Sequence, residues 1–297
     1  MIDTTFTSLQ AIRDAAARIK AIARVTPIVD VSAAAGRPLF LKCENLQPAG
    51  AFKIRGAFNM VAQLSPAQRA AGVVTYSSGN HGQAMALAAR TLGAPAVVVM
   101  PTTAPRIKIE GARAFGAEVI LEGTTSSERR ARAEAEAAAR GLTIVPPFDH
   151  EWIIAGQATA GLEILEQQPD VVVVGVEPSG AAAMRDSVDA GRPVTLPKTE
   201  TVADGLMPVR PGDLTFAHVQ KFMDHVITVD DRDIVDAVLW IFENAKLVAE
   251  PSGAATTAAV LGGALDAVVR IDGPIVAVIS GGNISPERLA ELAAGRR

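Results

Sequence analysis

A single cysteine, Cys43, in 297 residues excludes an internal disulfide, and one thiol without clustered His or Asp partners makes a poor metal site. Its setting, "LFLKCENL", reads as a buried structural thiol. Basic charge is also scarce: the formal net charge is −4, which leaves no electrostatic footprint for DNA or RNA. The densest basic cluster, Arg129, Arg130 and Arg132, is interleaved with glutamates at helical spacing and reads as a solvated helix face. No apolar run approaches the roughly 20 residues of a membrane span. The start "MIDTTFTSLQ" lacks the basic-then-apolar layout of a signal peptide, so a cytoplasmic protein with neither a membrane nor a nucleic-acid partner is expected.

Nucleotide and hydrolase signatures are missing as well. The chain has no G-x-x-x-x-G-K-[ST], no G-x-G-x-x-G between a strand and a helix, and no G-x-S-x-G elbow. Hydride transfer and ATP-driven chemistry lose support. The four histidines, His81, His150, His218 and His225, are scattered without ligand spacing.

What is present is an alternation. β-Branched runs at 38–44, 72–77, 96–100, 117–122, 142–146, 171–177, 225–229 and 274–280 are separated by alanine-rich stretches of helical period, near 8–24, 54–64, 80–92, 105–115, 126–140, 151–168, 231–246, 252–266 and 286–294. This predicts an α/β fold with parallel sheets covered by helices. The four strand-helix steps from 72 to 149 suggest a small domain, set against a large one made of 1–71 and 150–297. The Pro- and Gly-rich stretch "GRPVTLPKTETVADGLMPVRPGD" (191–213) reads as a long functional loop.

Ligands of open α/β sheets bind beyond the carboxyl ends of strands, so the turns there bear the chemistry. "VVTYSSGNHGQAMALAAR" is a strand, a polar turn and a helix. Ser77, Ser78, Gly79, Asn80 and His81 fall where free amides and a helix N-terminus favour an anion such as a substrate carboxylate. "PIVAVISGGNISPERL" repeats the layout at Ser280, and "KLVAEPSGAATTAAV" places Glu250 before a proline-started helix. Each turn alone is equally well an ordinary helix cap.

Together, "AFKIRGA", "SSGNHGQA", "AEPSGA" and "SGGN", in this order, resemble the fold-type II pyridoxal-phosphate enzymes, with the tryptophan synthase β-like architecture. The similarity is greatest to the threonine/serine dehydratase and serine racemase family. It extends to "LKCENLQPAGAFKIRGA", "KIEGARAFGAEVIL", "FDHEWIIAGQAT" and "TVADGL". The resemblance implies pyridoxal 5'-phosphate as cofactor, joined to Lys53 beside Phe52, with Lys53 later taking the substrate α-proton. Such an amine must be neutral near pH 7, which burial and a nearby cationic ring favour.

Other roles follow from the same resemblance. Asn80 would bond the cofactor's ring hydroxyl, the Ser77–His81 turn would cradle the substrate carboxylate, and Ser280 would face the pyridine nitrogen. Ser78 would be a second base on the opposite cofactor face, while Gly205 and Glu250 would line the cofactor edge. The implied reaction converts L-threonine or L-serine to a 2-oxo acid and ammonia. Serine racemisation, dehydration of hydroxyaspartate and a catalytically silent relative are the alternatives. A homodimer or homotetramer acting on a small amino acid is expected, without isoleucine feedback, since no regulatory domain follows "SGGN".

Two departures stand out. The family's glycine-rich phosphate loop is absent: "AGLEILEQQPDVVVVGVEPSG" runs from helix straight into the strand expected one unit later, a loss on the order of 30 residues, one βα unit. The amides of Ser179 and Gly180 are the substitute phosphate site this suggests. Glu177 matches a cation ligand of some relatives, but Ala183 stands where those have an acid, so tight Mg²⁺ or Ca²⁺ binding is not expected.

Overall fold

The computed structural model describes residues 6–77, 79–168, 172–271 and 273–295. Among these the strands, in chain order, are β1 (Ile28–Asp30), β2 (Leu39–Lys42), β3 (Val73–Tyr76), β4 (Ala96–Met100), β5 (Glu118–Leu121), β6 (Thr143–Ile144), β7 (Val174–Pro178), β8 (His225–Val229) and β9 (Ile275–Val278). Packing divides the chain into two compact units, residues 1–24 with 47–163, and 25–46 with 164–297. The segment 72–149, expected as the small domain, lies wholly within the first.

The first unit holds a parallel sheet in the order β5-β4-β3-β6. Its central strands β3 and β4 are buried on both faces, as inner strands of a parallel sheet require, while β5 at the edge is exposed at Glu118 and Leu121. Alternate residues sort to opposite sides: Val73, Val98 and Met100 pack with Ala84, Met85 and Ala88 of helix Asn80–Thr91, while Val74, Val97 and Val99 pack with Ala133 of helix Ser126–Arg140. That last helix starts on a capping box in which the Thr125 and Glu128 side chains exchange backbone bonds. The run at 142–146 shortens to a two-residue strand.

The second unit departs from the all-parallel expectation. β1 runs antiparallel to β2, because a four-residue helix, Ser32–Ala35, and Gly36 at φ 68° return the chain on itself; β2 and β9 are parallel. β7 and β8 form a separate two-stranded parallel ribbon. Helix Pro251–Leu261 packs against β9 and also against β7 and β8. One core runs beneath it, with Leu39, Leu41 and Ala277 from the larger sheet and Ile227 and Val229 from the ribbon. The long stretch 191–213 carries only the short 3₁₀ turn Asp204–Leu206 before helix Asp213–Phe222 begins at its end. No helix among the described residues is long and apolar enough to cross a membrane.

Candidate active site

Lys53 stands immediately before helix Ile54–Gln63, after a turn in which Ala49 and Gly50 both take left-handed backbone angles, φ 64° and 70°. A left-handed alanine costs on the order of 1 kcal/mol, and here it reverses the chain just ahead of the lysine. The Lys53 amine donates to the Pro147 carbonyl at 2.9 Å and lies 4.9 Å from the centre of the Phe52 ring. Burial pulls its pKa down from 10.5 to about 8.

The turn after β3 belongs to the same unit. The Ser77 amide donates to Val99 O, and its hydroxyl accepts from the Gly79 amide at 3.1 Å. Gly79 and half-buried Asn80 begin the next helix. Ser78 lies outside the described residues. His81 is 2 % exposed; its Nε2 donates to Val145 O at 3.2 Å, and its Nδ1 is buried with no hydrogen-bond partner. Burial, reinforced by the nearby Lys53 charge, lowers its pKa to about 3, so the ring is neutral.

The second unit brings together the other group of residues. Glu250, 1 % exposed, precedes helix Pro251–Leu261, and its amide donates to Gly281 O. Ser252 is the hub that the sequence reading passed over, although "AEPSGA" contains it. Its hydroxyl accepts from the Gly205 amide at 2.8 Å, and its carbonyl lies 3.4 Å from the Ser280 hydroxyl. A side chain on Gly253 would place its Cβ 2.2 Å from Gly281 O, so two motif turns meet backbone to backbone. That close approach requires glycine at 253, while in the other turn a Cβ on Gly282 would lie 2.6 Å from Val248 O.

Glu177 has a different task from metal binding. Its carboxylate accepts from the amides of Met184 and Arg185, at 3.0 and 2.8 Å, and so caps helix Ala183–Ala190; burial raises its pKa. No cluster of three or more His, Cys, Asp or Glu among the described residues could hold a metal ion. The Ser179–Gly180 turn is a poor substitute phosphate site. Ser179 donates to Asp230 at 2.6 Å, and Gly180 packs on the Glu200 carbonyl. Carboxylates and carbonyls there oppose an anion.

The family model for pyridoxal-phosphate dependent enzymes matches residues 19–176 and 165–281. The chain belongs to that family. It is 40% identical to the L-threonine ammonia-lyase of Thermotoga maritima, over 93% of this chain and 76% of that protein. It is 39% identical to the biosynthetic L-threonine dehydratase of Pasteurella multocida over 80% of this chain, of which it spans 52%, about half the relative's length. Among solved structures, maize serine racemase superposes with a TM-score of 0.90 at 35% identity, covering 98% of both chains. The α/β, fold-type II architecture expected from the motifs is therefore the one present.

The same comparisons bear on the missing unit. The two matched stretches overlap at 165–176, and the Thermotoga alignment runs over 308 positions, more than this chain has residues. Relatives thus carry residues that this chain lacks, and the family match divides where helix Glu151–Gln167 gives way to β7. The amine end of the site fits pyridoxal phosphate: Lys53 is a buried amine of lowered pKa, with an open acceptor on neighbouring His81.

Proposed function

We propose that this protein is a pyridoxal-phosphate-dependent lyase that deaminates L-threonine or L-serine. The observation that carries the reading is the buried Lys53 amine, its pKa held near 8, in the same unit as the anion-favouring turn at 77–81. The names of the Thermotoga and Pasteurella relatives support it.

Lys53 would hold the cofactor through its amine, with Phe52 alongside and Asn80 on the ring hydroxyl. Gly205, Glu250 and Ser280 would line its remaining edge and face its pyridine nitrogen. The bound cofactor supplies an electron sink for the pair left at the substrate α-carbon. Lys53, neutral above pH about 8, takes the α-proton. The start of helix Asn80–Thr91, with its positive dipole end, would orient the substrate carboxylate. His81 stays neutral throughout, which keeps a second cation away from Lys53. A neutral hydroxyl at Ser280 facing the pyridine nitrogen would hold it less fully protonated than an aspartate would, an environment that would suit β-elimination over transamination. Overall, L-threonine yields 2-oxobutanoate and ammonia, the water lost at the β-carbon being regained in the final hydrolysis. Action in the cytoplasm as a homodimer or homotetramer completes the reading.

Purified protein loaded with pyridoxal phosphate and given L-threonine or L-serine should release 2-oxo acid and ammonia in equal amounts. Lys53→Ala should lose both products and the visible absorbance band of the bound cofactor. D-Serine as the main product from L-serine would replace the lyase with a racemase, assigning the second base to Ser78. No product from either substrate, with the band present, would refute both.

A further inference from the structure

We infer that the stretch 145–147 is the arm that seats the catalytic amine: the Pro147 carbonyl fixes where Lys53 Nζ stands, and Thr75 and His81 are positioning residues that hold this carbonyl in place through Val145. The inference rests on the reading of Lys53 given above and adds to it the residues that place its reactive atom.

The backbone of Lys53 is set by the start of helix Ile54–Gln63, but a flexible four-carbon stem separates that backbone from the amine. The far end needs its own anchor. Nζ donates to Pro147 O at 2.9 Å, on the segment that follows β6. A carbonyl accepts from an amine and from an ammonium alike, so this seat orients the group without holding it charged, as a carboxylate would.

The seat is itself anchored two residues upstream. Buried Val145 is tied at both its amide and its carbonyl: the amide donates to Val74 O at 2.8 Å, and the carbonyl accepts from Thr75 Oγ1 at 2.6 Å and from His81 Nε2 at 3.2 Å. Two donors occupy both lone pairs of that oxygen. From there the chain reaches Pro147 with little freedom left. The proline rings fix φ at 146 and 147, and Val145 and Pro146, each standing before a proline, are confined to extended backbone. What holds Val145 O therefore also sets Pro147 O.

His81 keeps its place in this arrangement at a cost. With Nε2–H given to Val145 O, its Nδ1 is buried without a hydrogen-bond partner, and an unmet buried acceptor lowers stability. Such a cost is expected at a working site more than in a plain core. Thr75 is likewise a buried hydroxyl on a strand whose preceding residues, Val73 and Val74, are apolar.

The test compares wild type, Thr75→Val, Thr75→Ser and Pro147→Ala by two readouts. Cofactor-free protein is mixed with pyridoxal phosphate and the growth of the visible band of the bound cofactor is timed; the loaded protein then gives kcat and KM for L-threonine. Valine keeps the shape of threonine and removes one of the two donors to Val145 O. It should slow both the band and kcat by about two- to tenfold, the weight of one hydrogen bond, with KM little changed. Serine keeps the hydroxyl and should restore most of both rates, whatever its lost methyl does to the thermal midpoint. A normal band rate and kcat in folded Thr75→Val, or a raised KM with normal kcat, would overturn the inference. Should that variant not fold, Pro147→Ala decides: it keeps the carbonyl but frees the backbone that aims it, so the same slowing is expected, and normal rates in it would also overturn the inference. If the wild type binds the cofactor yet releases no 2-oxo acid, the lyase reading fails, and the band rates of the cofactor-free forms decide the role of the arm by themselves.

Discussion

Lys53 and His81 lie near enough to sense each other's charge and titrate in opposite halves of the pH scale, both because burial disfavours their charged forms. For Lys53 the folded value is about 8 against an ordinary 10.5, so between these the unfolded chain binds more protons. Stability of the cofactor-free protein should then rise with pH across that window. Lys53→Met should be the more stable form at pH 7, with the advantage fading toward pH 10.5; urea unfolding at a series of pH values measures it. His81 acts on the acid side. Its folded value of about 3 lies below the ordinary 6.5, so stability it contributes above pH 6.5 is lost as the pH falls toward 3. His81→Gln should flatten that acid limb in the same unfolding series. Residue identity made Lys53 legible, because a lysine between "AF" and "IRGA" is part of a distinctive motif. Burial is what the letters do not carry: Thr75 and Ser252 are an ordinary strand threonine and an ordinary cap serine until their neighbours are placed.

At the scale of elements, the helix behind Lys53 is held by a second one. Helices Ile54–Gln63 and Glu151–Gln167 approach closely enough that a Cβ on Gly156 would lie 2.6 Å from Gly56 Cα. Beside that crossing, Arg55, 1 % exposed, makes paired bonds of 2.7 and 2.9 Å to Glu163 and a third to Thr159. Breaking a buried pair from one side leaves a stranded charge, at a cost of about 3–5 kcal/mol. Glu163→Gln should lower the urea midpoint accordingly, and the Lys53 amine, two residues before Arg55, should lose its low pKa as the helix start loosens. Chemical modification of that amine as a function of pH measures the second effect. Strands β3 and β4 were legible because continuous β-branched runs suit a sheet buried on both faces. β1 was not, since three residues with one polar member give no periodicity. The helix expected to reach 266 ends at Leu261, where Gly262 and a left-handed Gly263 close it.

At the scale of the whole molecule, the described residues of the second unit form two separate sheets. β9 is paired on one side by β2, and β7 on one side by β8, while helix Pro251–Leu261 lies against strands of both. A two-stranded parallel ribbon is marginal by itself, and parallel strands are normally enclosed. The β7 end of the ribbon is instead open: Val172 and Val173 are 59 % and 45 % exposed, and Val174 and Val176 are half-buried. A missing βα unit is expected here from the sequence, and the two stretches of the family match overlap at the same place. Among the described residues this edge of β7 has no strand partner, and an apolar edge of this kind templates association with other chains. Sedimentation should therefore show self-association that grows with concentration, and Val172→Lys with Val173→Glu should reduce it while leaving the helix content unchanged. The complementary change is an insertion after Gln168 of the roughly 30-residue strand, loop and helix carried by a relative. It should raise the thermal midpoint, suppress the association and tighten pyridoxal phosphate binding, because one segment supplies both an inner strand and a set of amides for the phosphate. A midpoint that rises without tighter cofactor binding would separate these two roles, placing the sheet repair in the strand and the phosphate contacts elsewhere in the protein.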